Sequence, residues 1–275
     1  MTLDAHQHFW QFDPVRDAWI DESMSVIRRD FLPGDLAPVL HQNGVDGCVA
    51  VQADQSETET RFLLTLAEQH DFIRGVVGWT DLRAAGVEQR LEHWSQFPRL
   101  CGFRHILQGE RPEFMLDPAF LRGVRAVGKH GFAYDILVFP RHLRAVRTFL
   151  QHFENQKFIL DHIAKPYIRN GLIAQWRKDI RALARHPNLW CKVSGLVTEA
   201  DWQGWQPGDF KPYLDVVFEA FGSKRVVYGS DWPVCLLAAG YAAQKAILED
   251  YLGSFSAAEQ AGFWGENARE FYSIH

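Results

Sequence analysis

Short apolar runs alternate with segments of helical periodicity along the whole chain. The runs are Leu3–His8, Asp46–Gln52, Ile73–Trp79, Leu100–His105, Gly131–Leu137, Lys157–His162, Leu189–Ser194 and Arg225–Asp231. Their apolar residues are nearly continuous rather than strictly alternating, the pattern of strands covered on both faces in a parallel sheet. Between them, Asp35 caps a helix that ends near Gly44. Ser56-Glu57-Thr58-Glu59 is a capping box that opens a helix to about His70. Residues 84–97 predict a third helix. Asp117-Pro118 opens a fourth, closed by Gly131. Pro140 starts a helix to about Glu154, residues 171–186 and 209–222 predict two more, and two or three helices finish the chain. Residues 11–34 are polar and aromatic, with Pro14, Pro33 and Gly34, and read as a long loop with little regular structure. Such loops often act as lids.

Strands and helices in strict alternation imply right-handed crossovers and a parallel sheet. Eight such units in 275 residues favour a single (β/α)8 barrel, one domain spanning 1–275, with a long loop after the first strand and extra C-terminal helices. No Gly-x-Gly-x-x-Gly follows any run, so no dinucleotide site is predicted. The formal net charge is −5 with no basic block, which argues against nucleic acid or an anionic membrane as partner. Cys48, Cys101, Cys191 and Cys235 form no Cys-x-x-Cys, and the first three lie in apolar runs. They read as buried thiols, in keeping with a reducing cytoplasm, the expected compartment. The opening residues have no signal-peptide pattern, and no run approaches the ~20 residues that span a bilayer.

In such a barrel the chemistry sits where strands run out into the following loops. The first strand ends in His6 and His8, two positions apart and therefore on one face. Gln52, Trp79, Asp81, Arg104, His105, Tyr134, Asp135, Asp161, His162, Ser194, Ser230 and Asp231 mark the other strand ends. Burying so many polar groups unpaired would cost several kcal/mol each, so they should be paired or metal-bound. The remaining histidines read as ordinary. His41, His70, His130, His152 and His186 fall near helix C-termini, His93 and His142 within helices, and His275 at the end. Of the adjacent pair, Arg104 is expected inward and His105 in packing. His6, His8, His162 and Asp231 make a nitrogen–oxygen donor set suited to zinc or a similar divalent ion. Asp231 then serves as proton carrier and Arg104 as oxyanion stabiliser.

His6-Gln-His8-Phe-Trp10, Gly102-Phe-Arg-His105, Leu160-Asp-His-Ile-Ala-Lys-Pro166, Val193-Ser-Gly-Leu-Val-Thr-Glu199 and Gly229-Ser-Asp-Trp-Pro-Val234 resemble the lactonase branch of the amidohydrolase superfamily, in order from residue 3 to about 272. The resemblance implies a (β/α)8 hydrolase of lactones, with His6, His8, His162 and Asp231 in the metal or catalytic positions. It also implies Arg104 at the substrate carbonyl or an anionic group, and Tyr134 at the substrate. The superfamily's bridging lysine or glutamate and second downstream histidine have no counterpart found; Lys165 is a poor candidate. At most one divalent ion, zinc by donor type, is implied. Some members of the branch work without metal, so catalysis by Asp231 and the histidines alone stays open. Arg104 and Lys165 are the only cations counted at the strand ends. Gln52, Asp81, Asp135, Ser194 and Glu199 suit hydroxyl groups, and Trp79 ends a strand beside them. A neutral polyol lactone is therefore expected, L-fuconolactone or a stereochemical relative, in sugar catabolism. Other readings are a metal-dependent decarboxylase, a hydrolase of diacid lactones, or a barrel whose histidines only pack. A homodimer is an open expectation.

Overall fold

The computed structural model describes residues 1–274; His275 lies outside the described residues. The strands are β1 (Leu3–Gln7), β2 (Gly47–Val51), β3 (Ile73–Gly78), β4 (Leu100–His105), β5 (Ala133–Ile136), β6 (Phe158–Leu160), β7 (Leu189–Val193) and β8 (Val226–Tyr228). They form one sheet in chain order, every ladder parallel. The seam between β8 and β1 is held just past the strand ends. Asp231 N–H donates to the His6 carbonyl at 2.8 Å, and His8 N–H to the Trp232 carbonyl at 2.7 Å. Gly229 permits this closeness: a Cβ there would lie 2.7 Å from the His6 Cβ. The result is a (β/α)8 barrel.

The helices are α1 (Pro33–Gln42), α2 (Glu57–Gln69), α3 (Val87–Trp94), α4 (Pro118–Lys129), α5 (Leu143–Leu150), α6 (Ala174–Leu183), α7 (Pro207–Phe221), α8 (Tyr241–Leu252), α9 (Ala257–Ala261) and α10 (Asn267–Tyr272). None of the described helices is long and apolar enough to cross a membrane. The first starts earlier than expected. Pro33 fills the first turn, where a missing N–H does no harm, and Asp35 caps from inside by accepting the Leu32 N–H at 3.0 Å. The 11–34 loop is more ordered than its composition suggests. It holds a 3-10 turn at Glu22–Ile27, and Trp10 and Phe31 pair their backbones at its base. Strand β6 ends two residues early, because His162, Ile163, Ala164 and Lys165 all turn left-handed, with φ of 52°, 47°, 60° and 48°.

Two apolar clusters follow from this geometry. The large one lies between barrel and helices. The small one fills the barrel itself, with Leu3, Ala5, Val49, Val51, Val77, Ala133, Ile159 and Val227, closed from below by Phe271, Tyr272 and Ile274. The β1–β2 register shifts between Asp4 and Gln7. Asp4 faces outward to the Tyr241 hydroxyl on α8 at 3.0 Å, while His6 faces inward. The four cysteines are free thiols, three of them buried.

Candidate active site

A cavity of about 220 Å³ opens at the C-terminal ends of the strands. Its polar wall carries His8, Arg104, His162, Lys165 and Asp231; Trp19 from the 11–34 loop, Ile106, Leu137 and Val234 make it apolar on the other side. A larger hollow of about 580 Å³ lies at the opposite end of the barrel, around Arg74, Arg99, His130 and Tyr272. It has none of the converging imidazoles, so size does not decide the site.

Three imidazoles surround one carboxylate oxygen. Asp231 Oδ1 is 3.3 Å from His8 Nε2, 3.8 Å from His162 Nε2 and 3.9 Å from His6 Nε2. His8 Nδ1 lies 2.7 Å from the Val51 carbonyl and so carries a proton there. His162 Nδ1 meets the Ser194 hydroxyl at 2.9 Å. Gly195 sits against the same ring at φ 61°; a Cβ would come within 2.7 Å of Nδ1. With these Nδ1 partners, His8 Nε2 faces the anionic oxygen at 3.3 Å. That arrangement calls for a proton or a cation between them. Burial pushes the Asp231 carboxyl up, but His162 and His8 more than offset it and hold it at about 2. Burial, with the neighbouring Lys165 cation, keeps His162 well below the ordinary imidazole value against the pull of Asp231.

Below this shell lies a buried network of charges. Lys192, wholly buried on β7, reaches Asp135 at 2.5 Å, Asp161 at 3.1 Å and His6 Nδ1 at 3.2 Å. Tyr272 donates to Asp135 from below at 2.8 Å. Arg104 Nη1 donates to Asp161 at 3.0 Å and to His6 Nε2 at 3.2 Å. Burial opposes the Asp161 charge, yet Lys192, His6 and Arg104 hold that carboxyl well below its usual range. Burial first, then the Lys192 cation, hold His6 well below the ordinary imidazole value.

His6, His8, His162 and Asp231 thus come together, and Arg104 stands beside them. Other expected residues are placed differently. Gln52 clamps Arg104, accepting from Nη2 at 3.2 Å through its side chain and also through its backbone carbonyl. Ser194 holds His162, and Glu199 pairs with Lys165 at 3.1 Å. Asp135 lies one layer down on Lys192. Tyr134, expected at the substrate, points outward among Phe120, Phe149 and Phe158, because its strand position faces the helices. Trp79 turns to His105 Nδ1 at 3.4 Å, and His105 stacks on Phe114. Asp81 is exposed and caps the Arg83 N–H. Trp79, Tyr134 and Asp81 are therefore absent from the cavity wall. Lys192 and Asp4 were missed. Each is a lone charge inside an apolar strand run, a signal that a buried pairing is required.

A family model described as Amidohydrolase matches residues 3–274. The chain belongs to the amidohydrolase family. This amidohydrolase is 40% identical to an L-fucono-1,5-lactonase of Burkholderia multivorans, over 100% of this chain and 96% of that one. It is 37% identical to an L-fucono-1,5-lactonase of Burkholderia ambifaria, over 99% and 95%. Crystal structures of an amidohydrolase from Burkholderia multivorans, one with bound HEPES and one with bound zinc, superpose on it with a TM-score of 0.96 at 40% identity, covering 100% of both chains.

The donor set of this amidohydrolase fits a divalent ion. His6, His8 and Asp231 offer ligand atoms within 4.8 Å of one another, as do His6, Asp161 and His162. His8 Nε2, turned toward Asp231 Oδ1 at 3.3 Å, is the more specific sign. His6 fits less well, since its Nε2 accepts from Arg104.

Proposed function

We propose that this protein is a lactonase that opens a neutral sugar lactone, L-fucono-1,5-lactone or a close stereochemical relative, to the aldonic acid. The observation that carries the reading is the meeting of three imidazole Nε2 atoms on the Asp231 carboxylate, at the closed end of a cavity of about 220 Å³. That volume is below the roughly 300–1,000 Å³ of drug-sized sites and suits one small ring. Full-length likeness to two L-fucono-1,5-lactonases supports the substrate class. The cavity has few cations, which disfavours a diacid lactone.

In the reaction, a water oxygen bonds to the ring carbonyl carbon and its proton passes to Asp231. The carbonyl π pair moves onto oxygen. When the tetrahedral species collapses, the ring C–O bond breaks and the ring oxygen takes the proton from Asp231. The new acid then releases a proton to solvent. Asp231, held near 2, is ionised and ready, but so acidic a carboxylate is a weak base for ordinary water. His8 and Asp231 would hold the ion, with His6 and His162 close by. Zinc is our proposal for it. When bound, it lowers the pKa of a bound water toward about 7. His162 and His8 orient around the reacting oxygen, each fixed through its Nδ1, and burial with the Lys192 cation keeps His6 neutral.

The test is a panel of aldonolactones read by acid release, with wild type and Asp231→Asn. We expect turnover of L-fucono-1,5-lactone and a fall in kcat of roughly 10²–10⁴-fold in the variant. Release of CO2 from an aromatic acid, with every lactone inert, would overturn the reading in favour of a decarboxylase.

A further inference from the structure

Two cations reach the cavity, and they are held in opposite ways. All four terminal protons of Arg104 have partners. Nη1 serves Asp161 and His6, and Nη2 serves the Gln52 carbonyl and side chain. The remaining Nε–H is buried and has no hydrogen-bond partner among the described residues. Four of the five donors of that guanidinium are therefore spent within the protein. Lys165 is the reverse. Its ammonium has three donors and, among the described residues, one hydrogen-bond partner, Glu199 at 3.1 Å.

The backbone places Lys165 deliberately. From His162 to Lys165 every φ is left-handed, a conformation disfavoured by roughly 1–2 kcal/mol per residue outside glycine. The turn is closed by Lys165 N–H on the His162 carbonyl at 2.8 Å and braced by Trp176 Nε1 on the Ile163 carbonyl at 2.9 Å. In a turn of this i to i+3 kind, the first and last side chains eclipse. Lys165 therefore stands one turn above His162, and both line the cavity. Strain of this sort survives where its surroundings over-determine it, and it gathers at functional sites.

We propose that Lys165, rather than Arg104, is the cation that meets the carbonyl oxygen as it becomes an oxyanion and then holds the carboxylate of the opened acid. Lys165 donates hydrogen bonds and transfers no proton. Glu199 is its positioning residue. The assignment rests on the lactonase reading and is tested separately from it.

The measurement is binding of the aldonate product, L-fuconate, by calorimetry, alongside kcat and KM on the lactone. Lys165→Met should weaken L-fuconate roughly 10–100-fold, the size of a hydrogen bond to a charged group, and lower kcat on the order of 10²-fold. Glu199→Gln keeps the cation and an acceptor for one of its protons but removes the competing negative charge, so L-fuconate should bind more tightly. It also covers the case that the Met variant does not fold. Unchanged L-fuconate affinity in Lys165→Met, or weaker affinity in Glu199→Gln, overturns the assignment even if the parent hydrolyses the lactone. If the parent hydrolyses no aldonolactone but binds L-fuconate through Lys165, the lactonase reading falls and the carboxylate subsite stands.

Discussion

Asp231 presents one oxygen to three imidazole nitrogens, and the neighbours of each ring determine what they can do. Ser194 is the partner of His162 Nδ1 at 2.9 Å. Ser194→Ala leaves that nitrogen unpaired in a buried place, and the ring loses its orientation. Activity should fall roughly 10–100-fold, as for other partners that orient ligand imidazoles, with the circular dichroism spectrum unchanged. A variant with parental kcat/KM would mean that packing alone orients the ring. The same shell makes a prediction about metal. Zinc added to chelator-treated protein should raise the melting temperature by about 5–10 °C at 100-fold excess over Kd. The rise should vanish in Asp231→Asn. A rise of equal size in that variant would place the ion elsewhere.

At the level of elements, the barrel is shaped by how strands hand over to helices. The turn after β2 is tied by Glu59 in the first turn of α2, which accepts the Ala53 N–H at 3.1 Å and the Asp54 N–H at 2.6 Å. Ala53 lines the cavity, so this small clasp sets part of its wall. Burial pushes the Glu59 carboxyl up to about 8, the two backbone donors resisting. Its folded value thus exceeds the ordinary 4.5. Its proton therefore contributes stability that is fully present below about 4.5 and is lost as pH rises through about 8. Glu59→Gln removes that titration. The melting temperature of the parent should drop between pH 5 and pH 9 relative to the variant, and parallel curves would contradict the burial argument. Much of this level was legible in advance. Ser56-Glu57-Thr58-Glu59 announced the helix start, and the Ser56 side chain does accept the Glu59 N–H. The left-handed run after β6 was not legible, because Ile163, Ala164 and Lys165 have no local preference for positive φ.

For the molecule as a whole, the 11–34 loop and the buried charges bind distant parts of the chain into one site. Trp19 is 45% exposed yet forms part of the cavity wall, and its ring meets Trp10 edge-on at 6.0 Å. Trp19→Ala should remove apolar contact with the lactone ring. KM should rise about tenfold, the scale of burying part of an aromatic face, with a smaller change in kcat. A KM within twofold of the parent would separate the 11–34 loop from substrate binding. Lys192, Asp135, His6 and Arg104 come from four strands, Asp161 from the end of a fifth, and they meet where water is excluded. Removing one partner of such a set strands the others, which explains why the interior tolerates charges at all.

What the sequence by itself determined was the barrel and the set of strand ends. Strand runs with helical spacers impose a parallel sheet, and its geometry carries His6, His8, His162 and Asp231 to one end. These are local periodicities, readable along one dimension. The tertiary structure alone decided the partners. Lys192 pairs with Asp135, 57 positions away, and reaches His6, 186 positions away. Gln52 consumes donors of Arg104, 52 positions away. Hydrogen bonds form over about 3 Å, and only folding sets which distant residues come that close. That is why Arg104 could be foreseen near the chemistry, while its engaged donors, and the open ammonium of Lys165 above His162, could not.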